Sequence, residues 1–233
     1  MNPQERQRQP ILNAPGIIQA LVAITILLHF RQLVLTPLEN YELLRYAAFI
    51  PARFELPDIW QHEGVSLALS PLTYSFLHAD IYHLLLNMFF FLAFGTAVAR
   101  RMSWCIFALL YVTSAVISAF FWMMLNADAV TPLVGASGAL SGAAGALVRM
   151  SITPKLAHDP RHPIMPAKTA ILFGGFWISS NLILALLAVN VSFGVSNIAW
   201  EAHIGGFLFG LGIGRFVDGM GLRDPIALPP GFM

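Results

Sequence analysis

The sequence predicts an all-α, polytopic membrane protein of six transmembrane helices with a long, partly embedded first outer loop. Three observations carry that prediction. Of 233 residues, 57% are hydrophobic and only 11% charged, whereas soluble domains run near a quarter charged. Six apolar runs approach the roughly 20 residues that a spanning helix needs. The basic residues also fall unevenly on alternate sides of those runs.

The runs are residues 17–35, 81–99, 104–125, 134–150, 167–189 and 198–217. Ahead of the first lies a short polar stretch, Met1 to Pro10, with Arg6 and Arg8 but no small-residue cleavage site. That first run therefore reads as an uncleaved span rather than a signal peptide. The connection 36–80 is long, charged and proline-containing. Its segments 43–49 and 65–77 are apolar enough to lie partly in the interface. Compact chains use long loops sparingly, so this one is expected to pack and to have a role. The second and fourth runs are short or polar where they begin, which is tolerated when the polar end faces a water-filled cavity. Four prolines between residues 154 and 166 mark an extended linker, and the tail after Gly219 is polar and proline-rich. The resulting division is residues 1–16 as an N-terminal segment, 17–218 as one six-helix domain and 219–233 as a tail.

With the N-terminus inside, ten basic residues lie on the inner side: Arg6, Arg8, Arg100, Arg101, Arg149, Lys155, Arg161, Lys168, Arg215 and Arg223. Only Arg31, Arg45 and Arg53 lie outside. Both termini are then expected in the cytoplasm, the membrane being a bacterial inner (plasma) membrane. Runs two, four and six all begin on the outer side, and the starts of those runs hold His83 and Asn87, Ser137, and His203. The polar groups thus converge at one depth, a result the span assignment does not impose.

Polar side chains at membrane depth are costly and usually have partners or a task. A lone helical serine is most often structural, bonding back to its own helix. Ser137 differs because Gly135 and Gly138 flank it and let another backbone approach. The run 134–146 is almost entirely small residues, which let helices pack closely. Gly206, Gly210 and Gly214 follow His203 at helical spacing, so the two stripes can meet and bring Ser137 to His203. An imidazole there suits a general base, and a serine hydroxyl needs one to become a nucleophile. Asn87 shares a face with His83 and offers two N–H donors, as developing oxygen charge in acyl transfer requires. Glu201 lies two residues before His203, hence on another side of the helix. It reads as a solvated residue at a favourable helix N-terminus, leaving a Ser–His dyad. Asn181, with Ser179 and Ser180 in run five, reads as packing or a local polar contact.

A zinc site built on His78, His83 and His203 is disfavoured. The His-Glu-x-x-His pattern is absent and no acidic ligand lies at membrane depth. The one cysteine, Cys105, permits no intrachain disulfide. The near balance of 13 Lys+Arg against 12 Asp+Glu gives no basic patch for nucleic acid. No cofactor and no metal are expected. The oligomeric state is left open.

His83-Leu84-Leu85-Leu86-Asn87, Gly135-Ala136-Ser137-Gly138 and Ala202-His203-Ile204-Gly205-Gly206 together resemble three signatures of the rhomboid family of intramembrane serine proteases, in order and on matching spans. The resemblance implies Ser137 as nucleophile and His203 as general base. It implies an oxyanion hole formed by Asn87, His83 and the Ser137 backbone N–H, with Gly135 and Gly138 in support. His78 matches a further recurring position. Implied partners are transmembrane protein substrates and the bilayer. Two departures stand out. Many members carry an aromatic residue four after the serine, where this chain has Ser141. Many also carry a Trp-Arg pair before the second span, where this chain has Leu69-Ser70-Pro71. The rival readings are a catalytically silent relative that binds transmembrane clients and, more distantly, a small transporter. The transporter would call for paired acidic groups or broken helices.

Overall fold

The computed structural model describes residues 14–153, 165–190 and 199–219. The N-terminal stretch 1–13, most of the proline-rich connection and the tail after Gly219 lie outside the described residues. Helix α1 is Gly16–Leu33, α2 Pro37–Ala47, α3 Pro57–Thr73 and α4 Ile81–Ala99. They are followed by α5 Trp104–Leu125, α6 Ser137–Ile152, α7 Ala167–Asn190 and α8 Trp200–Gly219. Single 3₁₀ turns at Pro51–Glu55 and Tyr74–Phe76 complete the first loop.

By length and composition, α1, α4 and α5 each suffice to cross a membrane. Their outward faces agree: Leu27, Phe30, Leu85, Phe89 and Leu109 are each more than half exposed. Surfaces of that size need an apolar surround. Helix α6 is different. Its 16 residues span about 24 Å at 1.5 Å per residue, short of a bilayer core of about 30 Å. Every residue from Gly138 to Val148 is buried, with α4, α5, α7 and α8 packed around it. A helix so enclosed faces protein rather than lipid.

Glycines set the tightest of these contacts. A Cβ on Gly206 would fall on the Gly138 carbonyl and one on Gly210 on the Gly142 carbonyl. One on Gly145 would fall on the Phe207 carbonyl. No side chain can retreat to relieve such clashes, so α6 and α8 meet at backbone distance only because these positions are glycine. The two small-residue stripes seen in the sequence are therefore the two sides of one interface.

The first loop packs as expected and grips the chain just before α6. Helix α2 begins on a reciprocal cap between Thr36 and Glu39. The Thr36 N–H and hydroxyl both donate to the Glu39 carboxylate and hold it below the usual range. Helix α3 kinks at Glu63, where φ is −131°, and the Glu63 carboxylate receives both Arg45 and Arg53. Ala48, Phe49, Leu67, Tyr74 and Leu77 are buried. Phe49 exchanges two backbone hydrogen bonds with Leu133, of 3.2 and 2.9 Å, and the Gly135 N–H donates to the Tyr74 carbonyl at 3.0 Å. These bonds tie Leu133 and Gly135 to the first loop and keep them out of the helix. Helix α6 starts at Ser137, three residues later than the apolar run suggests.

Candidate active site

Ser137 is the first residue of α6. The first N–H groups of a helix have no intrahelical acceptor, so its mouth presents donors and the positive end of the dipole. Gly135 supports this entry with φ of +118°, in the left-handed region that favours glycine. A Cβ there would also fall 2.7 Å from His83 Nε2 and 3.7 Å from Ser137 Oγ. The open face of Gly135 thus separates the His83 ring from the serine hydroxyl. Gly138 has a different reason: a Cβ would lie 2.6 Å from the Ser118 Cβ and 2.8 Å from the Tyr74 hydroxyl.

His203 sits in the first turn of α8, and the α6–α8 contact delivers it to the serine. Its Nε2 lies 2.7 Å from Ser137 Oγ. Its Nδ1 lies 2.6 Å from the Oδ1 of Asn181 on α7. Asn181 is 5% exposed, and its Nδ2 donates to the Trp177 carbonyl at 2.8 Å. That carbonyl can only accept, which fixes the orientation of the amide. Asn181 Oδ1 therefore faces the ring and Nδ1 is the protonated nitrogen. Nε2 is bare and accepts from the Ser137 hydroxyl, the tautomer a general base requires.

Helix α4 carries His83 and Asn87 one turn apart. The His83 N–H is capped by Asp80 at 2.8 Å. Asn87 is buried, and its Nδ2 donates to the His83 carbonyl at 2.9 Å. One of its two amide hydrogens is thus engaged within its own helix. His78 is fully buried with its ring centroid 5.1 Å from that of His83. The ring of His29 on α1 lies 6.5 Å from that of His78, centroid to centroid. Among the described residues, neither ring nitrogen of His29 has a hydrogen-bond partner. Among the described residues no group of three His, Cys, Asp or Glu is arranged to hold a metal ion.

Glu201 stays away from the site. It accepts from the Asn126 side chain at 3.2 Å, which makes it a tie to α5 rather than a purely solvated group. Ser141, one turn after the serine, is fully buried. Sequence reasoning missed two residues. Asn181 makes the local polar contact expected of it, to the Trp177 carbonyl, and in addition reaches His203; the available signal was an amide in the middle of an apolar run. His29 was not singled out, although a histidine inside the first apolar run carries the same signal.

The sequence matches the rhomboid domain family over residues 68–218. It is 26% identical over 196 residues to Rhomboid protein 1, mitochondrial, of Saccharomyces cerevisiae, covering 76% of this chain and 53% of that protein. It is 31% identical over 147 residues to RHOMBOID-like protein 6, mitochondrial, of Arabidopsis thaliana, covering 61% of this chain and 41% of that protein. With RHOMBOID-like protein 5 of the same plant the figures are 26% over 160 residues, 67% and 47%. The chain thus spans about half the length of these curated relatives. With an all-helical framework, apolar spans, three linked motifs and a family match covering most of its length, the chain belongs to the rhomboid family of polytopic membrane proteins.

Proposed function

We propose that the protein is an intramembrane serine endopeptidase that cleaves transmembrane segments of other membrane proteins near the outer leaflet. The observation that carries the reading is the 2.7 Å contact between Ser137 Oγ and His203 Nε2 at a glycine-lined helix mouth. Six spans, with both termini in the cytoplasm, remain part of the reading on the strength of the apolar runs and the charge bias. The mitochondrial names of two relatives lend no support to the bacterial inner membrane expected from the sequence.

In this reading Ser137 Oγ attacks the scissile carbonyl carbon while its proton passes to His203 Nε2. The oxyanion is received by the Ser137 backbone N–H, by His83 and by the remaining hydrogen of Asn87. When the tetrahedral intermediate collapses, the C–N bond breaks and His203 returns the proton to the leaving amine. Water then enters from the outer side and attacks the acyl carbon while giving a proton to His203; the bond from that carbon to Ser137 Oγ breaks, His203 returns the proton to Oγ, and the acid product leaves. No cofactor takes part. A helical carbonyl is engaged by its own hydrogen bond, so the cut segment must first unwind. Substrates with Gly or Pro near the scissile bond are therefore favoured.

The test is cleavage of a panel of single-span substrates by detergent-purified protein. Wild type should cut at least one, and Ser137→Ala should lose several orders of magnitude in rate at an unchanged melting temperature. Wild-type turnover by Ser137→Ala would end the assignment. Capture of the substrates without cleavage by either protein would instead favour a silent binder of transmembrane clients.

A further inference from the structure

Helix α7 contributes to the site a residue that the dyad does not include. Asn181 is almost fully buried, and its two polar atoms are both engaged: Nδ2 with the Trp177 carbonyl at 2.8 Å and Oδ1 with His203 Nδ1 at 2.6 Å. The hydrogen bonds run in one direction, from the imidazole Nδ1–H to a carbonyl-type oxygen on one side and from the serine hydroxyl to Nε2 on the other. Among the described residues, two other candidates for orienting the ring do not do so. Glu201 is bound to Asn126, and Ser141 offers no aromatic surface.

We propose that Asn181 is a positioning residue that holds the His203 ring in the Nδ1–H tautomer with Nε2 aimed at Ser137. It does for this imidazole what a buried carboxylate does in a soluble triad, but with a neutral amide. The choice of amide follows from the location. A carboxylate at this depth would be an expensive charge in the resting enzyme. The amide oxygen still accepts from Nδ1 when Nε2 gains the serine proton, so the contact persists through the reaction. The proposal rests on the protease reading for its catalytic consequence, and on geometry alone for the tautomer.

Two readouts on purified protein separate the parts. Nitrogen NMR of histidine-labelled protein, with the His203 signal identified by its loss in His203→Ala, should show Nδ1 protonated and Nε2 bare in wild type. Asn181→Leu should move that signal toward the Nε2–H form or a mixture, and Asn181→Asp should keep it. In the cleavage assay Asn181→Leu should lower kcat on the order of 10²-fold, as expected for a misplaced catalytic group. KM should stay within about twofold, and Asn181→Asp should recover most of the loss. An Nε2–H tautomer in wild type overturns the proposal without any variant. So does an Asn181→Leu protein that keeps both the Nδ1–H tautomer and full kcat. If wild type cleaves nothing, the protease reading fails, while the NMR result still decides the role of Asn181.

Discussion

Helices α8 and α7 both pack on α6 and both touch the site, by opposite means. Helix α8 comes in at backbone distance, its Gly206 and Gly210 set against the Gly138 and Gly142 carbonyls. Helix α7 stands off and makes contact through large side chains. Phe173 and Trp177 lie 5.0 and 5.7 Å, ring to ring, from Phe94 of α4. Gly174 would have ordinary clearance for a Cβ against Phe207 and Val148, and Gly175 would meet nothing within 4 Å. Phe176 and Leu186 are about two-thirds exposed. The contrast teaches where precision resides. The Ser137–His203 distance is set by main chain that has no freedom to shift. The orientation of the ring is set by one amide on a helix held by side chains.

The largest effect that would break this comparison is at Gly210. Gly210→Val places two methyl groups where the Gly142 main chain already lies. It should destabilise the protein by about 3 kcal/mol, the upper end of the usual overpacking cost, read as a lowered melting temperature or failure to assemble. A valine tolerated there without a thermal shift would mean that the α6–α8 contact is not made at backbone distance. The smallest effect sharpens the same contrast. Gly175→Ala should leave the fold intact and, by helix propensity, add up to about 1 kcal/mol of stability. A marked loss on that change would mean that α7 packs as tightly as α8.

How much of this was legible in the sequence follows the same division. The bounds 104–125 of the third run coincide with α5, because Ser103 caps its start and Asn126 follows its last apolar residue. The glycine stripes announced the α6–α8 contact because glycine repeats at helical spacing have few other uses in a membrane. The start of α6 was misplaced to residue 134. The bonds that keep Leu133 and Gly135 out of the helix come from Phe49 and Tyr74, some 60 to 85 residues earlier, and no local pattern reports them. The π turn at Phe91–Gly95 within α4 is equally silent in a uniformly apolar stretch. Asn181 was visible as a polar residue but not as a partner of His203. Which face of α7 looks at α8 depends on side-chain packing, and no periodic pattern fixes its rotation. His29 illustrates the same limit: its cost at membrane depth is plain in the sequence, while its neighbour His78 is known only from the fold.

The most direct measurement of the central claim, that Ser137 and His203 form one activated unit, is covalent labelling with a fluorophosphonate in detergent. A serine hydroxyl is a poor nucleophile unless a base activates it. Wild type should therefore be labelled at Ser137, located by mass spectrometry of the modified peptide. His203→Ala should lose the label while keeping the serine. Equal labelling of both proteins, or none of the folded wild type, would contradict the account.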